Sequence, residues 1–141
     1  MLPITLTIAG AAALLNIWLS ARTSALRRRL KVLIGDGDNR ALAARMRAHA
    51  NFIEYTPLFL ILLALVELTL GPALWLWGLG IFFILGRIAH LFGMEIDKPH
   101  PLRIAGMIVT LTALGVLAVA ALALPYLEGP GEALPAYARL G

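Results

Sequence analysis

The chain of 141 residues contains no cysteine. Disulfides, thiolate metal sites and a cysteine nucleophile are therefore excluded, and any thiol chemistry must bring its sulfur in on a ligand. Charge is also scarce. Only 14% of residues are charged, whereas an ordinary soluble domain carries about 25%. So little charge argues against a disordered chain, a nucleic-acid-binding tail and most soluble enzymes. Hydrocarbon takes its place: 60% of residues are apolar and the mean hydropathy is +0.85. That is the composition of a membrane protein. A crossing takes about 20 apolar residues, so the length admits about four spans and no separate soluble domain. The net charge of +4 would suggest nucleic acid in a soluble protein. In a membrane chain, the placement of charge matters more than its sum, and no nucleic-acid partner is expected.

Four apolar runs are legible, over about residues 2–20, 50–70, 73–92 and 103–124. The first has no basic stretch before it and no charge before Arg22, so it reads as a retained helix and not as a cleaved leader. Gly71-Pro72 ends the second. Trp75 and Trp77 begin the third as interfacial anchors, and Pro125 is expected to stop the fourth. The expected fold class is all-α, an integral membrane four-helix bundle over residues 1–125. A loose tail is expected over 126–141, with Gly129, Pro130 and Gly131 close together.

The basic residues are distributed unevenly. Arg22, Arg27, Arg28, Arg29, Lys31, Arg40, Arg45 and Arg47 fall between spans one and two, and Arg87, Lys98 and Arg103 fall at the junction of spans three and four. Only Arg139 lies elsewhere. The positive-inside rule then places both termini on the non-cytoplasmic side. Before span two, Gly35-Asp36-Gly37-Asp38 reads as a turn, with Asp38 capping a helix that starts near Asn39. Ala41, Leu42, Ala43, Ala44, Met46 and Ala48 favour helix. A helix from there to residue 70 is about 48 Å long and must project beyond the hydrocarbon.

A few polar residues do not suit a plain apolar bundle. Arg47, Asn51 and Glu54 stand at i, i+4 and i+7 and share a face. Glu54 lies at or inside the hydrocarbon boundary, where an unpaired carboxylate costs about 2.5–3.5 kcal/mol. Arg47, two turns away, is not its obvious partner. A basic residue on another helix that locks two helices together, or a ligand ammonium, would serve. Pro57 frees the carbonyl of Ile53 and can bend the helix around a cavity or simply kink it. Arg87 and His90 form an i, i+3 pair near the end of span three. Pro101 and Arg103 begin helix four, where free amides already attract anions. Arg103 can hold a thiolate there, or it can snorkel to lipid phosphate. His90 alone is a satisfied interface histidine or a proton donor, and His100, between prolines, reads as solvated. Arg27, Arg28, Arg29 and Lys31 form a topology signal that contacts lipid phosphate, and one or two of them can turn inward. Glu67, near the outer end of helix two, reads as an interface residue. Together Arg27, Arg47, Asn51, Glu54, Arg87, His90 and Arg103 outline a polar, anion-friendly pocket near the inner membrane interface.

The stretch Arg47-Ala48-His49-Ala50-Asn51-Phe52-Ile53-Glu54-Tyr55-Thr56-Pro57 resembles the signature of the MAPEG family, the membrane-associated proteins of eicosanoid and glutathione metabolism. Gly35-Asp36-Gly37 looks like its bacterial branch. Gly86-Arg87-Ile88-Ala89-His90 and Pro101-Leu102-Arg103 resemble the corresponding helix ends of the prostaglandin synthases in that family. The resemblance covers about residues 1–125. It implies a homotrimer in a bacterial inner membrane, with glutathione bound between neighbouring subunits near the cytoplasmic face. Arg27, Arg47, Asn51, Glu54 and His90 would contact glutathione, Glu54 meeting its ammonium and Arg27 serving as the helix-one Arg, a role for which Arg28 competes. Arg103 would be the catalytic residue that stabilises the thiolate, and no metal is implied. The activity would be that of a glutathione-dependent transferase or peroxidase acting on a lipophilic electrophile that arrives from membrane lipid. This chain departs from the family pattern at three positions. Ala50 stands where the prostaglandin synthases have an Arg, Met94 where a ligand-contacting Tyr is common, and Ile104 where some members have Ser. The family also holds a non-enzymatic lipid-presenting protein. A non-catalytic lipid-binding or partner subunit is therefore the second expectation.

Overall fold

The computed structural model describes residues 1–96, 98 and 100–127. Four helices make up the bundle: α1 (Pro3–Leu30), α2 (Arg40–Leu70), α3 (Leu74–Met94) and α4 (Pro101–Leu127). Each is long and apolar enough to cross a membrane. Large apolar side chains stay exposed along the outside, among them Leu6, Leu14, Ile61, Leu68, Ile108 and Val119. That outward greasiness suits lipid or a neighbouring protein.

The helices depart from the sequence expectations mainly at their ends. α1 continues ten residues past residue 20, because Ser20 to Leu30 has no helix breaker and three arginines sit favourably in its last turn. It ends at Lys31 in left-handed conformation, where the Lys31 and Val32 amides donate to the Arg28 and Arg27 carbonyls. The cap of α2 is Asn39, not Asp38: the Asn39 side chain accepts from the Leu42 amide at 3.0 Å. Asp38 has φ 55° and belongs to the turn. Pro57 leaves α2 unbroken as one helix. Pro125 does not stop α4, which runs on to Leu127. A proline costs only its own amide bond there, and the preceding turn is already built. Tyr126 and Leu127 thus belong to α4, and the rest of the expected tail, with Arg139, lies outside the described residues.

The core has two parts along the bundle axis. One joins Ile4, Ile8, Phe59, Leu63, Val66, Leu76, Phe83, Ala113 and Leu117, with the Phe59 and Phe83 rings stacked 3.7 Å apart. The other joins Ala12, Leu19, Ala48, Phe52 and Leu91, toward the end that carries the basic residues. α3 and α4 pack closest. A Cβ built on Gly106 would lie 2.5 Å from the Gly86 carbonyl oxygen and 2.5 Å from the His90 nitrogen. Only a bare backbone fits this crossing.

Polar clamps close both ends. Glu67 is 1% exposed. It accepts from the Ile4 amide at 2.9 Å, the Thr5 amide at 2.7 Å and the Thr5 hydroxyl at 2.7 Å. The carboxylate therefore caps the start of α1 from across the bundle, which gives its interface role a chemistry. At the other end Arg22 pairs with Glu95 at 2.6 Å and lies over the Trp18 ring, while Arg45 approaches the same carboxylate at 3.9 Å.

Candidate functional site

The site begins where α3 hands over to α4. The first turn of α4 is held by the His100 carbonyl, which accepts from the Arg103 amide at 3.0 Å. It is also held by the His100 ring, whose Nδ1 accepts from the Leu102 amide at 3.3 Å. His100 is thus a helix-start residue and not merely a solvated one. The end of α3 lies directly against this turn. Gly93 abuts the Arg103 backbone so closely that any side chain there would collide with it. His90 Nδ1 donates to the Arg103 carbonyl at 2.8 Å. A carbonyl can only accept, so the Nδ1 position carries the proton. Two independent contacts therefore fix the Arg103 backbone relative to α3 and leave its guanidinium exposed.

α2 supplies the facing wall. Arg47, Asn51 and Glu54 share a face as their spacing requires. Arg47 Nη1 stands 3.7 Å from Glu54 Oε1, with both side chains well exposed. This corrects the expectation that Arg47 is too distant to be the partner: a long guanidinium spans two helical turns. An exposed pair of this kind contributes little stability, about 0–1 kcal/mol, so it is free to open for a ligand. Asn51 Nδ2 donates to Glu54 at 3.4 Å, and Asn51 Oδ1 accepts from Arg87 at 2.8 Å.

Arg87 is not a member of the open pocket. It is 1% exposed, bonded to Asn51 and to the Thr110 hydroxyl at 3.3 Å, with the Phe52 and Tyr55 rings 5.9 and 5.7 Å from its guanidinium carbon. It lies seven residues before the end of α3, within the bundle and not at the junction. Its work is to orient Asn51 from behind.

Between these walls is a cavity of about 500 Å³. Its polar lining is Arg47, Asn51, Glu54, Tyr55, His90 and Arg103, and its apolar lining is Met94, Ile104, Met107, Ile108 and Leu111. Five of the six site residues expected from sequence are thus brought together. Arg27 is not. It donates to the Leu33 carbonyl at 3.3 Å and to Met46 Sδ at 3.1 Å. It belongs to a different cavity at the end of α1, and α1 makes no packing contact with α4 among the described residues. Sequence reasoning named Met94 and Ile104 as departures from the family pattern but missed Tyr55 and the rest of the apolar wall, Met107, Ile108 and Leu111. The signal for the wall was present, since Ile104, Ile108 and Leu111 stand at i, i+4 and i+7 on α4.

The cavity is amphipathic. Its lining combines two arginines and a carboxylate, which suit a small ligand with both carboxylates and an ammonium, with aliphatic and thioether groups that suit an apolar one. Residues 5–123 match the MAPEG family. The chain is similar to inner membrane protein YecN of Escherichia coli (strain K12), with 31% identity over 109 residues, 77% of this chain and 82% of that protein. The inner membrane protein YecN of Escherichia coli O6:H1 (strain CFT073) matches to the same extent.

Proposed function

The chain belongs to the MAPEG family, and from that premise we propose that it is a glutathione-dependent membrane transferase or peroxidase acting on lipophilic electrophiles. The observation that carries this reading is the amphipathic cavity. Arg103, Arg47 and Glu54 line it together with an aliphatic strip of α4. Glutathione binds along the polar lining. Its ammonium meets Glu54, its carboxylates meet Arg47 and the donors of Asn51, and His90 lines the same space. Arg103, whose backbone is held by Gly93 and His90, turns its guanidinium to the sulfur and holds it as thiolate. A free thiol with a pKa of about 8.5 is mostly protonated at neutral pH, and a nearby cation raises the reactive fraction. The thiolate attacks an electrophile lying along Ile104, Ile108 and Leu111: a carbon–sulfur bond forms as a leaving group such as chloride departs, or a hydroperoxide O–O bond breaks to give an alcohol and a sulfenate, which a second glutathione converts to disulfide and water.

The same reading includes a homotrimer. The cavity opens on the flank of the bundle, with Arg47, Glu54 and Arg103 all exposed. A neighbour's α1 can cover that flank and deliver Arg27, which its own chain holds away from the site. The protein sits in a bacterial inner membrane, in keeping with its relatives, with both termini on the non-cytoplasmic side and the site near the cytoplasmic face.

The test is titration of the purified protein with glutathione while thiolate absorbance is followed, with Arg103→Ala as control. Wild type forms thiolate near neutral pH and conjugates a chlorinated nitroaromatic or reduces an organic hydroperoxide. The variant loses about 10²–10³-fold in rate, the usual cost of removing one charge-stabilising donor. Absence of both thiolate and a glutathione-dependent thermal shift in wild type overturns the reading. A second reading is favoured by one observation: Met94 and Ile104, two of the departures from the family pattern, both line the cavity with apolar groups. On that reading the chain is a non-catalytic lipid-binding or partner subunit. Lipid then co-purifies, and Arg103→Ala leaves its function intact.

A further inference from the structure

Without cysteine, the sulfur of this chain is all thioether, and its placement is uneven. Of four methionines, two, Met94 and Met107, line the cavity between α2, α3 and α4. The apolar cavities along α1 and α2, and between the far ends of α2 and α4, have no thioether in their linings. Leucine fills an apolar wall as well as methionine does, so packing alone does not call for sulfur here.

Each of the two thioethers stands one helical turn from a polar group of the cavity. Met94 follows His90 by four residues on α3, and Met107 follows Arg103 by four on α4, so each pair shares a face. The contact of Gly93 with the Arg103 backbone holds the two helix ends together. Both methionines are half-buried, which leaves part of each side chain open to whatever fills the cavity. Met46 is the contrast. It is half-buried too, but it stands outside this cavity and its Sδ accepts from Arg27 Nη2 at 3.1 Å. Met1 is fully exposed.

A thioether is a soft group whose characteristic reaction is with oxidants. The aliphatic lining selects which oxidant reaches it: an organic hydroperoxide partitions there, whereas hydrogen peroxide stays in water. Arg47 and Arg103 bring N–H donors to the peroxide oxygens.

We propose that Met94 and Met107 are an oxidation site for organic hydroperoxides. The sulfur lone pair attacks the terminal peroxide oxygen, and a sulfur–oxygen bond forms as the O–O bond breaks. The hydroperoxide proton passes to the departing oxygen. The products are an alcohol and a methionine sulfoxide, so the thioether is oxidised as the peroxide is reduced. No thiol takes part. Each sulfoxide sets a polar oxygen beside Ile104 and Ile108, which weakens the hold of the cavity on apolar molecules. The proposal rests on the reading above only in that an apolar electrophile enters this cavity.

The experiment treats the purified full chain in detergent, without glutathione, with cumene hydroperoxide or with hydrogen peroxide. Peptide mass spectrometry follows the gain of one oxygen at each methionine over time. Hydrogen peroxide is expected to oxidise Met1 first, as exposure alone dictates. Cumene hydroperoxide is expected to oxidise Met94 and Met107 roughly tenfold faster than Met46, a small part of what holding two reactants together can supply. Excess cumyl alcohol, which fills the cavity without oxidising it, should abolish that preference. The same order of sites with both oxidants overturns the proposal, and so does a preference that cumyl alcohol leaves intact. The glutathione titration fails or succeeds separately. A protein that forms no thiolate but shows the preference keeps this site and loses the proposed activity; one that forms thiolate without the preference loses this site alone.

Discussion

At Glu67 a single carboxylate closes the accounts of two helices. The first amides of α1 have no partner within their own helix, and in a membrane there is no water near the core to serve them. Glu67 receives the Ile4 and Thr5 amides together with the Thr5 hydroxyl. Glu67→Gln keeps the shape but turns an NH2 group toward those donors. It is expected to cost about 1.5–3 kcal/mol, the range for hydrogen bonds to a charged group, seen as a lower midpoint of thermal unfolding in detergent. An unchanged midpoint would mean that the cap is not used. The sequence could mark Glu67 as anomalous but could not say what it meets, because its partners lie 62 and 63 positions away. Arg22 and Glu95, 73 positions apart, were illegible for the same reason. Arg87 was misplaced because its identity speaks of a surface. Only the packed structure reveals Asn51, Thr110 and two aromatic rings around it.

At the scale of helices, the sequence was far more readable, since an apolar run reports its own length. Four spans were legible, and α2 begins within a residue or so of expectation because its cap is a local signal. The end of α1 was missed because the apolar run stops at residue 19 whereas helix propensity continues to Leu30. Apolarity marks the membrane, and propensity marks the helix. What places the site, however, is the α3–α4 crossing, where Gly86, Gly93 and Gly106 bring two backbones together. Gly106→Ala forces a methyl against the Gly86 carbonyl and His90. It is expected to destabilise the protein by about 1–3 kcal/mol, as overpacking does, and to weaken the proposed glutathione binding by displacing His90 and Arg103. Gly115→Ala, on the same helix with nothing within 4 Å, is the control. It should be neutral or stabilise by up to about 1 kcal/mol, because alanine favours helix. Thermal unfolding of the two variants side by side distinguishes a steric crossing from a general intolerance of α4.

For the whole molecule the scarce charges do two separate tasks. One group, Arg47 and Arg103 with Glu54, faces a cavity. The other gathers around the connection between α1 and α2 and bears on orientation: Arg22, Arg27, Arg28, Arg29, Lys31, Arg40 and Arg45 lie there, whereas the α2–α3 turn over residues 71–73 has no basic residue. Such an asymmetry in short connections is what the insertion machinery reads. The absence of cysteine makes the consequence directly measurable, because any thiol introduced is the only one present. Ile34 in the α1–α2 connection is 91% exposed and Leu74 beside the α2–α3 turn 87% exposed, so both tolerate substitution and both meet solvent or headgroups. In intact spheroplasts a membrane-impermeant maleimide is expected to label Leu74→Cys and to spare Ile34→Cys. Inside-out vesicles should reverse the pattern. The opposite pattern would place the cavity of Arg47 and Arg103 at the outer face, away from the cytoplasmic pool of glutathione, and would count against the proposed activity as well as the topology.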